Sequence, residues 1–206
     1  MPDTRPLIIC DVDEVVLHFV APFESFLKRR GLQLVKRSFA LSGNIVERES
    51  GAALSGEQTG ALVQAFFESE TDTQPRIDGA SEALAELSDH ADILFLTNFP
   101  AALRARRDRN LADHGMPYPL HTNSGPKGKA AAELARRYSC EIIFLDDSGP
   151  NLLSVHEHIP HANLIQFIGD RQFFELAPAL DEIDFKTTSW NDAKRHIMTL
   201  LQSGIR

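Results

Sequence analysis

Cysteine is nearly missing from this chain, with only Cys10 and Cys140 among 206 residues. Each stands beside an apolar, strand-like run, so both are expected as buried free thiols of a reducing compartment rather than a disulfide. Positive charge is also scarce: 21 Lys and Arg face 29 Asp and Glu, a formal net charge of −8. A field of that sign repels polyanions, so neither a nucleic acid polymer nor an acidic membrane surface is the expected partner. A small anion remains compatible, because local cations or a metal can hold it against the net field. No apolar run approaches the roughly 18 residues of a membrane-spanning helix. The start, MPDTRPLIICD, has no basic segment leading into an apolar stretch and a small-residue cleavage site. The reading therefore expects no signal peptide and a cytoplasmic location. Internal repeats, low-complexity tracts and heptad seams are absent as well.

What is present reads as globular. Hydrophobic residues make up 43% and charged ones 24%, which argues against global disorder. The length suits one full core with room for one appended subdomain. Four short apolar runs, Leu7–Cys10, Ile93–Leu96, Ile142–Leu145 and Leu164–Phe167, are continuous rather than alternating. That pattern fits strands buried on both faces of a parallel sheet. Helical patterns follow at Ala80–Leu87, Ala101–His114, Gly128–Tyr138 and Asn191–Leu201, the last begun by a capping-box pair, Ser189 and Asp192. The expected fold is α/β, a Rossmann-like three-layer sandwich around a mostly parallel sheet.

About eighty residues separate the first two strands, far more than one crossover helix needs. Within them Phe19, Phe23, Phe26 and Leu27 fall at helical spacing, as do Leu62, Val63, Phe66 and Phe67. Residues 18–76 are accordingly expected to form a small α-helical insertion whose two apolar stripes pack together, leaving 1–17 and 77–206 as the core. The phenylalanines there, Phe39 included, are read as packing rather than as a substrate cage. Their stripes leave monomer and homodimer both open.

In open α/β sheets, ligands bind beyond the carboxyl ends of the strands. Directly after the first run comes Asp11-Val12-Asp13-Glu14, after the second Thr97-Asn98, and after the third Asp146-Asp147-Ser148; a helix start carries Gly125-Pro126-Lys127-Gly128-Lys129. Asp11, Asp13 and Asp146 are hard oxygen donors suited to Mg²⁺ rather than zinc. A hydroxyl from Thr97 and the ammonium of Lys127 can bind phosphoryl oxygens, with Asn98 beside them. Asp11 can attack phosphorus, while Asp13 protonates the leaving oxygen and then activates water. Taken singly, a DxD, a Thr after a strand or a Lys is commonplace. The ordered set carries the signal.

LIICDVDEVVLHF, ILFLTN, GPKGKAAAEL and IIFLDDS resemble, in order, the four motifs of the haloacid dehalogenase-like superfamily of phosphatases. The resemblance covers most of the chain. It implies an aspartyl-phosphate mechanism on a small phosphomonoester, with Asp11 as nucleophile, Asp13 as general acid/base, and Thr97 and Lys127 holding the phosphoryl group. It also implies Mg²⁺ held by Asp11, the carbonyl of Asp13, and Asp146, with Asp147 assisting. The insertion sits where the family places a helical cap of the C1 type. K-G-x-A at the helix start favours Lys127 over Lys129. Glu14, standing where many relatives have glycine, is expected to alter turn geometry more than chemistry. A phosphomutase would use the same constellation, whereas the family's dehalogenases resemble one another in lacking the second acid, which Asp13 supplies. A receiver domain would need the acids in reversed order, and a non-catalytic binder of a phosphorylated ligand would have no need of both Asp11 and Asp13.

Weaker features remain. His156, His158 and His161 are expected in a surface loop rather than a metal site, since Pro160 interrupts them. Arg104, Arg106, Arg107 and Arg109 are expected as a solvated helix face. Gly169-Asp170-Arg171, after the fourth run, reads as a turn near the same sheet edge.

Overall fold

The computed structural model describes residues 4–203. Six parallel strands form one sheet in the order β5-β4-β1-β6-β7-β8: β1 (Leu7–Cys10), β4 (Asp92–Asn98), β5 (Leu120–Asn123), β6 (Ile142–Asp146), β7 (Asn163–Phe167) and β8 (Phe185–Thr187). The four apolar runs are the four central strands. Side chains alternate across the sheet, and helices cover both faces, which is why the runs read as unbroken. Ile8, Cys10, Ile93, Phe95, Ile143 and Leu145 pack on one side against α3 (Ala80–Ser88) and α8 (Trp190–Ser203). Leu7, Ile9, Leu94, Leu96, Ile142 and Phe144 pack on the other against α5 (Gly128–Ala135) and α6 (Gly149–His158). Burying each large apolar side chain contributes about 1.5–3 kcal/mol before entropy. Ser189 Oγ accepts from Asp192 N at 3.3 Å, so the capping pair does start α8.

The insertion holds α1 (Val20–Lys28), the antiparallel pair β2 (Leu32–Leu34) and β3 (Ile45–Glu47), and α2 (Gly56–Glu70). The hairpin is a difference from the all-helical expectation: LQL and IVE are too short to register as strands. The two phenylalanine stripes do pack together. The Phe66 ring stands edge-on to Phe19, Phe23 and Phe26 at centroid distances of 5.3, 5.4 and 5.6 Å. Their cluster also takes in Phe99, Ile168 and Phe173 from outside the insertion, so the stripes are covered within one chain. Both crossings run side by side, with His18 N donating to Pro75 O at 2.9 Å and Leu17 bridging Arg76.

Several expectations change. Cys140 is exposed, not buried, because β6 begins two residues later; Cys10 is buried and both are free. His156 and His158 end helix α6 rather than lying in a loop, while His161 is exposed beyond it. The predicted helix over 101–114 starts with a 3₁₀ turn, Ala101–Leu103, before α4 (Arg104–Asp113). Arg107 in α4 is fully buried, not solvated. A short helix, α7 (Arg171–Leu176), follows the Gly169 turn, capped by Asp170 Oδ1 accepting from Phe173 N at 2.8 Å. No helix of the described residues is long and apolar enough to cross a membrane.

Candidate active site

Asp11 follows β1 directly, and its N–H continues the ladder to Leu145 O at 2.9 Å. Parallel pairing of β1 with β4 and β6 brings Asp11, Thr97 and Asp146 to the same sheet edge. Lys127 arrives from the start of α5. A Cβ on Gly128 would collide with Ser154 of α6, so the glycine lets α5 press close and seats the lysine beneath the carboxylates. Lys127 is fully buried, and its Nζ lies 2.7 Å from Asp11 Oδ1 and 2.7 Å from Asp146 Oδ2. Lys129 is exposed. Lys127, not Lys129, is the lysine that meets the carboxylates.

A cavity of about 270 Å³ is lined by Asp11, Asp13, Thr97, Asn98, Lys127 and Asp147, together with Glu14, Ser148, Asn151, Phe19, Val63 and Phe67. Six of these twelve are residues that the sequence assigned to the site. Asn151 was missed, although it lies one helical turn beyond the third strand's acids. Phe19 and Phe67 serve as packing and wall at once. Asn98 faces the cavity with its amide engaged, donating to Gly125 O at 3.0 Å and accepting from Asn123 Nδ2 at 2.8 Å.

The two acids after β6 differ. Asp146 is fully buried; Oδ2 receives Lys127, and Oδ1 accepts from Ser148 N at 2.9 Å and Asn151 Nδ2 at 3.1 Å. Asp147 has no hydrogen-bond partner for its carboxylate among the described residues, and it faces the cavity. The carboxylates of Asp11, Asp146 and Asp147 each offer an oxygen within 4.8 Å of the others. Burial pushes the Asp11 carboxyl up to about 7, with Asp146 and Asp13 adding repulsion that Lys127 only partly offsets. Burial, then the charges of Asp146 and Asp11, likewise raises Asp147 well above the usual carboxylate range. Lys127 stays above its ordinary value because the two carboxylates outweigh its burial. The cluster thus holds more negative charge than one ammonium balances. All-oxygen donors with a shortfall of positive charge fit Mg²⁺.

Glu14 does more than shape a turn. Its φ of 63° lies in the left-handed region, where glycine is relaxed and glutamate is strained. In exchange its Oε2 accepts from Phe19 N at 3.0 Å and Val20 N at 2.7 Å, supplying the cap that Phe19 cannot give α1. Burial, opposed by those two N–H groups, lifts its carboxyl to about 7. Glu14→Ala is expected to destabilise the protein by about 1–3 kcal/mol through the lost cap and orphaned N–H groups. Glu14→Gly should cost about 1 kcal/mol less, since it also releases the backbone strain. Urea unfolding of the two variants measures the difference, and equal losses would show that the backbone at Glu14 is not strained.

No protein-family model matches the sequence, and no curated protein matches it either. Solved structures do. A Bacillus subtilis HAD hydrolase bound to magnesium superposes with a TM-score of 0.64 at 14% identity, covering 95% of this chain and 99% of that one. The chain has the haloacid dehalogenase-like fold. Within this fold, an L-2-haloacid dehalogenase matches with a TM-score of 0.61 at 13% identity over 95% of this chain and 100% of its own. A Haemophilus somnus protein predicted to be a phosphoglycolate phosphatase matches at 0.60 and 15% identity, over 93% and 97%. Solved structures of this fold thus include one named as a dehalogenase and one predicted to be a phosphatase.

Proposed function

We propose that the chain is a Mg²⁺-dependent phosphohydrolase that acts on a small phosphomonoester through an aspartyl-phosphate on Asp11. The observation that carries the reading is a carboxylate, Asp11, lining a cavity and held 2.7 Å from a buried lysine, with a second carboxylate, Asp13, lining the same cavity. Displacing halide from carbon releases an anion that needs no proton, so Asp13 would have no leaving group to protonate. Phosphoryl transfer to water uses what is present. It needs a proton donor for the leaving oxygen, then a base for water, and positive charge around the equatorial oxygens.

Asp11 attacks phosphorus while the Asp13 carboxyl gives its proton to the departing alcohol oxygen. Asp13, now ionised, takes a proton from water, which attacks the aspartyl-phosphate and frees phosphate and Asp11. Lys127 orients Asp11 and offsets charge on the phosphoryl group, and Thr97 offers a hydroxyl to it. Mg²⁺ would be held by Asp11 and Asp147, by the carbonyl of Asp13, and by Asp146 through its place in the cluster; it supplies charge neutralisation between phosphate and carboxylates. On this reading residues 18–76 are a cap over a core of 1–17 and 77–206. An adjoining cavity of about 120 Å³, walled by Phe39, Leu41, Ile168 and Phe173, suits a substrate with a small apolar portion; an engineered apolar cavity of about 150 Å³ admits benzene.

The test is phosphate release from 4-nitrophenyl phosphate with and without Mg²⁺, for wild type and Asp11→Asn. Mg²⁺-dependent turnover that the variant loses is expected. Turnover undiminished in Asp11→Asn would defeat the mechanism. Transfer of the phosphoryl group to a second hydroxyl of the same substrate, without phosphate release, would indicate a phosphomutase.

A further inference from the structure

Arg107 is a buried cation whose purpose the mechanism above does not use. Its side chain is fully buried, and its guanidinium lies 4.3 Å from the ring centre of Phe99 and 5.7 Å from that of Phe67. The aromatic faces accommodate the flat cation without supplying an acceptor. Its one ion-pair partner among the described residues is Asp13: Nη2 lies 3.1 Å from Oδ1 and 3.5 Å from Oδ2. The same nitrogen donates to Gln74 Oε1 at 2.8 Å, and Gln74 Nε2 donates to Asp13 Oδ1 at 2.9 Å. Three side chains thus form a closed triangle.

The triangle is itself held. Gln74 is 1% exposed, and its backbone oxygen accepts from Asn110 Nδ2 at 3.2 Å and lies 2.9 Å from His114 Nε2. Arg107, Asn110 and His114 are spaced i, i+3 and i+7, one face running along α4 and just past its end. One helix face therefore grips both Asp13 and the segment by which the insertion returns to the core. Both well-formed donors converge on Asp13 Oδ1. Oδ2 keeps only the longer 3.5 Å contact with Arg107, on a residue that lines the cavity.

We propose that Arg107 is a positioning residue that, with Gln74, fixes the rotamer of Asp13 so that Oδ2 delivers the proton to the leaving-group oxygen. The inference rests on the phosphohydrolase reading. In the step concerned, the Asp11–phosphorus bond forms and the phosphorus–oxygen bond to the alcohol breaks. The electron pair of that bond goes to the alcohol oxygen, and the proton on Asp13 Oδ2 follows it, leaving a neutral alcohol and an ionised Asp13. If Asp13 swings free, the first step, which kcat/KM reports, slows only for esters whose leaving group needs that proton, whereas the later water step slows for every ester alike.

The experiment follows from this. For wild type and Arg107→Met, kcat/KM is measured across phosphate esters graded in leaving-group basicity, from 4-nitrophenyl phosphate through phenyl phosphate to simple alkyl phosphates. The variant is expected to lose about 100-fold on the alkyl esters, the scale of a general-acid contribution, and less than about threefold on the nitrophenyl ester. A steeper dependence on leaving-group basicity supports the assignment. A uniform loss across the series, which a merely structural ion pair would give, overturns it. Arg107→Lys, which keeps the charge but not the planar fork, should recover part of the alkyl activity. If Arg107→Met does not fold, Gln74→Leu removes the other donor to Oδ1 without stranding a charge, and it must show the same selective loss in smaller measure. Wild-type activity that depends on Asp11 alongside a uniform loss in both variants sinks the inference and leaves the hydrolase standing. Wild-type inactivity across the whole series removes both.

Discussion

Lys127→Met is expected to lower stability by about 3–5 kcal/mol at pH 8, because it strands buried carboxylates that lose their counter-charge. Lys127 Nζ sits 2.7 Å from both Asp11 and Asp146, in a pocket closed to water at its base. Removing it leaves Asp11, Asp146 and Asp147 within 4.8 Å of one another with nothing between them. Protonation is the relief open to such a cluster, so the deficit should shrink as pH falls from 8 to 5. Phosphate release should drop by about 10²–10³-fold, the scale of a lost preorganised donor. Urea unfolding at the two pH values checks the first claim. A variant as stable as wild type at pH 8 would show that the lysine is not the anchor of the site.

The second large effect concerns Mg²⁺ and protons. Burial and repulsion raise Asp11 to about 7 from an ordinary 3.8. A carboxyl with a raised folded-state value binds its proton more tightly when folded. Its contribution to stability is therefore fully present below about pH 4 and is lost as pH rises through about 7. The metal-free protein should weaken across that window, and Mg²⁺ should restore what is lost. For one competing proton at about 7, Mg²⁺ binding is expected to be about 30-fold tighter at pH 8 than at pH 5.5. Calorimetric titration at both pH values measures it directly, and thermal unfolding with and without Mg²⁺ gives the stability side. Affinity that does not change with pH would mean that the ion does not displace a proton from this cluster.

The legible part of this site was what the sheet edge fixes. Asp11, Thr97 and Asp146 each terminate a continuous apolar run, and parallel pairing allows such residues only one edge to share. Lys127 was legible through the K-G-x-A pattern of the family resemblance, and the structure adds that a Cβ at Gly128 would collide with Ser154. Strands β5 and β8 were not, because LHTN and FKT carry too little apolar length at the sheet's margins. The hairpin in the insertion escaped for the same reason. Arg107 was read as solvated because charge runs usually are. Its burial depends on Asp13 and Gln74 arriving from 94 and 33 residues away, and no local pattern encodes that meeting. Glu14 was read as a matter of turn geometry, and the part it plays in starting α1 depends on a backbone five and six residues onward.

The insertion departs after Leu17 and returns at Arg76, and these two points touch, with His18 N and Pro75 O 2.9 Å apart. A doorway one hydrogen bond wide makes the excursion exchangeable: evolution can lengthen, shorten or replace it without shifting the register of a single central strand. What a replacement must bring is an apolar cover for Phe99, Ile168 and Phe173, which the present insertion shields. The same doorway defines a graft point for protein engineering, where a foreign segment with closely spaced ends can be spliced onto an unchanged sheet.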